Sequence, residues 1–225
     1  TYISGNVSGI WTMNESPLIA TGNLVIQPGD TLIIEPGVRV FFDGAYRLDV
    51  FGALFAEGEE ENRIIFSKEG DTYWKSINFS DDADDNSSLK YCDIEYAQGS
   101  GYEPYLGALN LNGASPDVIN NNILNCSSHG IYVTNGASPQ IENNFLTISS
   151  YNGIYSNASY PKILGNSITG ANYAVYIVES TGNTSSSDSS SVDSDSSDVE
   201  IDFGTVVSNN NFSYNSYGIN FYHCY

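Results

Sequence analysis

The densest run of groups able to do chemistry is Asp81, Asp82, Asp84 and Asp85. Carboxylates two and three residues apart in a loop are oxygen ligands of the kind a hard cation takes, which makes Ca²⁺ the one cofactor the sequence raises. No glycine-bearing calcium loop surrounds them, so a solvated acidic turn is the competing reading. Asp43, Arg47 and Asp49 can share a face. Arg47 and Asp49 alternate with Leu48 and Val50, as expected of a solvated pair on a half-buried strand. His129 and His223 are the only histidines, each close to a cysteine, Cys126 and Cys224. A Cys/His metal site would need these two pairs to meet across a long stretch of chain. No Ser-His-Asp order, phosphate loop or dinucleotide fingerprint is present. Asn-x-Ser/Thr acceptors stand at Asn6, Asn78, Asn86, Asn125, Asn157, Asn183 and Asn211, with an eighth at Asn14 weakened by Pro17. Asn78, between Ile77 and Phe79, has the parity of an outward side chain. Glycans at these sites would make the chain an exported one.

What positions these groups follows first from composition. The 225 residues carry 7 Lys+Arg against 27 Asp+Glu, a formal charge of −20, with only 15% charged residues. Such a balance has no footprint for phosphate backbones, which excludes nucleic-acid partners. No run of 18 apolar residues is present, so no membrane-spanning helix is expected. Helix formers are scarce, while Gly, Asn, Ser, Tyr and β-branched residues dominate, and the expectation is all-β. The three cysteines, Cys92, Cys126 and Cys224, are too few for a disulfide scaffold. Thr1 opens directly in strand-like sequence, so no leader is visible.

The chain then repeats. Gly107, Gly130 and Gly153 lie 23 residues apart and open GALNLNGASPDVINNNILN, GIYVTNGASPQIENNFL and GIYSNASYPKILGNSIT. Ala174 and Gly218 open further copies. Stacking the copies gives three apolar columns: Ala108, Ile131, Ile154, Val175 and Ile219; Val118, Ile141, Ile163 and Val207; Ile123, Leu146, Ile168 and Phe212. A polar column runs beside them at Asn121, Asn144, Asn166 and Asn210, read as turn residues tolerant of left-handed backbone whose amides stack. One such coil cannot bury its own apolar side, but stacked coils share a continuous core. Tyr132, Tyr155 and Tyr176 recur at one outward phase. They form an aromatic ladder or a surface for sugars or subunits.

This pattern resembles the right-handed parallel β-helix repeat family, whose coils read Pro-x-Ile-x-Asn-Asn-x-Ile followed by Gly-Ile-Tyr. Here those residues are Pro139, Ile141, Asn143, Asn144, Leu146, Gly153, Ile154 and Tyr155. LKYCDIEYA falls in phase, with Cys92 in place of the ladder Asn and Ile94 in the third column. The resemblance implies a single domain over 1–225: irregular coils at 1–106, and regular coils of about 21–23 residues at 107–225. A Ser/Asp-rich loop insertion at 180–202 is expected to project from it. The fold hosts lyases, hydrolases, adhesins and structural proteins, so it implies no single activity. Its enzymes cut polysaccharides with paired carboxylates, or with Ca²⁺ and a basic residue. The regular coils offer only Asp117, Glu142 and Lys162 at different phases.

With no convincing catalytic cluster, the expectation is an exported structural protein at the cell surface. It would join copies of itself through open β-helix ends or sides into a sheath, surface layer or filament, similar to archaeal or bacterial β-helix surface proteins. The last coil, GINFYHCY, is read as lacking a cap, and Cys126 and Cys224 are the candidates for disulfides between chains. The alternative is a carbohydrate-binding or polysaccharide-cleaving β-helix within a longer protein.

Overall fold

Apolar residues two apart mark short segments such as Leu48–Val50 and Cys92–Glu95, and a single inward apolar residue marks Gln140–Glu142 and Val206–Ser208. Each buries alternate side chains and leaves the rest half-buried, as the pleat of a strand allows. The computed structural model describes residues 1–104, 106–149, 151–180, 191, 192, 198–200 and 205–224. For 179, 180, 191, 192, 198–200, 223 and 224 it describes the backbone alone. Among the described residues every regular element is a strand.

Three strands per coil stack into three columns of parallel strands. One column is a 9-stranded sheet; the other two merge into a 17-stranded sheet, because the long strand Leu18–Ile26 pairs with both Arg39–Phe42 and Leu48–Val50. Strands of residues 1–106 already stand in these columns, with Leu32 beside Leu54 and Leu48 beside Ile77. Two of the apolar columns read from the repeats are in register: Val118, Ile141, Ile163 and Val207, and Ile94, Ile123, Leu146, Ile168 and Phe212. The first needs a correction. Leu109, not Ala108, lies beside Ile131, because the strand Gly107–Asn112 is set one residue off the 23-residue repeat. Both side chains are buried, so hydrophobicity alone could not separate them.

The asparagine column is an internal hydrogen-bond ladder. The backbone N–H of Asn121 donates to Oδ1 of Asn144 at 2.8 Å, that of Asn144 to Asn166 at 2.9 Å and that of Asn166 to Asn210 at 2.8 Å. Each amide Nδ2 also donates to a carbonyl of the preceding coil: Asn121 to Leu89, Asn144 to Val118, Asn166 to Ile141 and Asn210 to Ile163. Left-handed backbone, expected at the ladder itself, belongs instead to its neighbours: Tyr91, Asn120, Asn143, Gly165 and Asn209. That residue turns the chain, which frees the next side chain to point inward. Cys92 substitutes for an amide at this phase. Its backbone N–H donates to Asn121 Oδ1 at 2.8 Å, and its thiol donates to Ala56 O at 3.3 Å.

Glycine recurs at the head of the coils because there is no room for more. A Cβ on Gly153 would meet Ala174 O at 2.6 Å, and one on Gly130 would meet Gly153 O at the same distance. The insertion at 180–202 was expected only to project. Its described parts run along the last coil: Ser191–Val192 pairs antiparallel with Tyr217–Cys224, and Asp198–Glu200 with Val206–Ser208. Those strand edges therefore have partners, contrary to the expectation of an uncapped coil.

Candidate functional site on the outer face

Outward positions of one strand column line up as Asp49, Asn78, Asn110, Tyr132, Tyr155 and Tyr176, each paired in register with the next. Three residues earlier on successive coils stand His129, Asn152, Tyr173 and Tyr217. The backbone N–H of Asn152 donates to His129 Nδ1 at 3.2 Å, that of Tyr173 to Asn152 Oδ1 at 3.4 Å, and Tyr173 lies beside Tyr217.

At one end of this face the column is polar and closed. Arg47 Nε donates to both oxygens of Asp49, at 3.0 and 2.7 Å. Asn78 Nδ2 donates to Asp49 at 2.8 Å, while its Oδ1 accepts from the Ser76 hydroxyl and from Asn110 Nδ2. Asn110 Oδ1 in turn accepts the N–H of Gly107. The excursion at 97–106 leaves the strand just before and folds against this end. Its Glu103 accepts the Tyr132 hydroxyl at 2.7 and 2.8 Å, and its Tyr102 hydroxyl lies 3.5 Å from the Arg47 guanidinium. Burial and then the neighbouring Glu103 carboxylate push the Tyr132 phenol far up, so it stays a proton donor throughout the accessible range.

The other end is aromatic and more open. Tyr132, Tyr155 and Tyr176 stack nearly parallel with centroids 4.7 and 5.4 Å apart, and Tyr173 stacks on Tyr217 at 4.7 Å. His129 sits among Tyr132, Tyr151 and Tyr155. Because the ladder rings cover one another's faces, they offer solvent mainly edges and hydroxyls. Ring area is left to Tyr151 and Tyr217, 47% and 52% exposed, and to Tyr102 of the loop.

Burial lowers the His129 pKa to about 4. The folded state therefore holds the neutral ring while the unfolded chain takes a proton below its ordinary value of 6.5. Stability on this account is full above pH 6.5 and falls as the pH drops towards 4, by up to about 3 kcal/mol. Urea midpoints at pH 7, 6 and 5 should decline in the wild type, and that decline should flatten in His129→Gln, which keeps an acceptor for Asn152.

The other residues singled out by sequence are placed as follows. The Asp81–Asp85 run is dispersed rather than convergent. Asp84 accepts from the Asn86 backbone and side chain, which holds its carboxyl below the ordinary value. Asp85 accepts the Ser115 N–H at 2.7 Å. Asp81 packs against Gly113, and Asp82 and Asp84 line a depression of about 150 Å³ with Asp30. Among the described residues no group of three or more His, Cys, Asp or Glu is arranged to hold a metal. Asn78 is 2% exposed, with its amide bonded to Asp49, so it is no glycan acceptor in the folded chain despite its outward parity. Asn6, Asn86, Asn125 and Asn211 are exposed and Asn157 is half-buried; Asn183 lies outside the described residues. Cys126 is corrected as a disulfide candidate between chains. It is 2% exposed, its thiol donates to Leu124 O at 3.4 Å, and burial pushes its pKa up to about 12. Burial likewise pushes the Cys92 thiol up. In a Cys224→Ser background neither should react with an aromatic disulfide reagent until urea unfolds the chain; labelling at the native rate of an exposed thiol would contradict their burial. The side chain of Cys224, like that of His223, lies outside the described residues.

The residues that sequence reasoning missed are Glu103, Asn110, Asn152, Tyr173 and Tyr217. Tyr173 and Tyr217 carried a signal, since each stands just before the repeat markers Ala174 and Gly218. Glu103 carried none, because the loop has no repeat phase.

A family model described as right handed beta helix region matches residues 107–225, the regular coils that carry the tyrosines. The chain belongs to the right-handed β-helix family. Neither the curated proteins nor the solved structures compared with it gave a match. Within this β-helix no helix is long and apolar enough to cross a membrane among the described residues.

Proposed function

We propose that this β-helix is an exported, cell-surface carbohydrate-binding module whose ligand lies along the tyrosine columns. The observation that carries the proposal is the cluster of Tyr151, Tyr155, Tyr173, Tyr176 and Tyr217 with His129 and Glu103 on one outer face. Rings with polar tips supply apolar area and hydrogen bonds together at little conformational cost, which suits a ligand with apolar ring faces and hydroxyl edges. Spread over successive coils about 4.8 Å apart, the columns match an extended chain rather than a compact molecule. The exposed acceptors Asn6, Asn86, Asn125 and Asn211 fit an extracellular setting. Calorimetry against a panel of oligosaccharides tests the reading, with the double variant Tyr151→Ala/Tyr217→Ala expected to lose binding while folding normally. Failure of every member of the panel would sink it.

A second reading, assembly of copies into a sheath, layer or filament, is favoured by one observation. Large apolar side chains are exposed on the first coil, where Tyr2 is 78%, Ile10 57% and Met13 51% exposed, and on the last, where Tyr214 is 93% and Tyr222 52% exposed. Large exposed apolar side chains suit contacts between copies. Sedimentation of the native chain decides it: higher oligomers that dissociate in Ile10→Ser/Tyr214→Ser support assembly, and a monodisperse monomer contradicts it.

A further inference from the structure

We infer that the glycan taken by this outer face is uncharged, and that the site discriminates against uronate or sulfated chains; the inference rests on the carbohydrate-binding reading above. Recognition of an anionic sugar needs cations placed to meet it, above all arginine presenting paired N–H donors. From residue 107 onward the chain contains a single Lys or Arg, Lys162. That residue lies on the strand Lys162–Leu164 of the 9-stranded sheet, not on the tyrosine face. At the polar end of the face, Arg47 is held by Asp49. Lys75 stands three residues before Asn78, at the phase of His129 but two coils before it, beside the polar end and away from the stacked tyrosines. Of the other cations, Arg63 is bound to Asp93 and two carbonyls, Lys90 to Glu57 and Asp117, and Lys68 lies over the Tyr73 and Tyr96 rings, while Arg39 stands on a strand of the column that contains Ile123.

The charged group in contact with the tyrosine ladder is negative. Glu103 is exposed, and its carboxylate accepts the Tyr132 hydroxyl through both oxygens. Its remaining lone pairs can accept hydroxyl protons from a neutral sugar but repel a second carboxylate or a sulfate. The whole chain adds its −20 to that repulsion, which at low ionic strength reaches well beyond contact. Tyrosine hydroxyls, which both donate and accept, complete a surface matched to polyols.

Calorimetry on the intact chain tests the inference with cellohexaose, laminarihexaose and mannohexaose as neutral probes and hexagalacturonate as the anionic one. At least one neutral hexasaccharide should bind, with Kd changing less than about twofold between low and high salt, because no ion pair forms. Hexagalacturonate should bind at least about tenfold more weakly at low salt, and Glu103→Gln should narrow that gap. Hexagalacturonate binding as tightly as the best neutral probe would overturn the inference and leave carbohydrate binding standing. No binding by any of the four would overturn both.

Discussion

Asn144→Ala is expected to destabilise the β-helix by about 4 kcal/mol, since two or more buried partners are orphaned at about 1–3 kcal/mol each. The Asn121 N–H loses its acceptor and the Val118 carbonyl loses its donor, both inside a coil where water has no access. Asn166, whose Oδ1 accepts from both the backbone and side chain of Asn144, keeps only the first. The control is the adjacent Asn143→Gly. Asn143 supplies left-handed backbone, with φ of 53°, and no ladder bond, so glycine there should change stability by less than about 1 kcal/mol. Urea unfolding of the two variants separates a buried amide ladder from a merely Asn-rich turn. Equal, small effects would mean that the ladder adds little to the fold.

The second large effect is expected at Glu103. Glu103→Ala removes the acceptor of the Tyr132 hydroxyl and the contact that ties the 97–106 excursion to the coils. A hydrogen bond to a charged group contributes about 2 kcal/mol, here to docking the loop, so affinity for a neutral hexasaccharide that also touches the docked loop should fall by up to about 30-fold. Hydrogen exchange at Gly107 and Asn110, on the strand that follows the loop, should rise at the same time. Glu103→Gln, which retains a carbonyl acceptor, should restore most of the exchange protection. Affinity unchanged in Glu103→Ala would place the ligand elsewhere.

Most of the architecture was legible because a solenoid writes its geometry as periodicity. Val118, Ile141, Ile163 and Val207 are one column in the sequence and in space, and Cys92 could be assigned to the asparagine ladder from phase alone. The register of Leu109 was not legible, since Ala108 and Leu109 are both apolar and the strand is displaced by one residue. The site was legible in part. Tyr132, Tyr155 and Tyr176 announced a ladder, but not that their faces would be occupied by one another. Asn78 shows the limit most plainly. Its parity was outward as expected, yet a column of Asp49 and Asn110 on either side and the loop nearby leave it buried. Parity reports direction, whereas exposure depends on what distant parts of the chain lay over the same spot. The same holds for Cys126, which ends the strand Asn122–Cys126 and whose place in the sequence revealed nothing about its burial.

Amide chemical-shift mapping during titration with the best-binding neutral hexasaccharide tests most directly whether the ligand lies on the tyrosine face of the 17-stranded sheet. Perturbations should concentrate at His129, Tyr132, Asn152, Tyr155, Tyr173, Tyr176 and Tyr217 and in the loop around Tyr102 and Glu103. Perturbations centred on the 9-stranded sheet around Gln140–Glu142 and Lys162–Leu164, with the tyrosine columns unmoved, would contradict that placement.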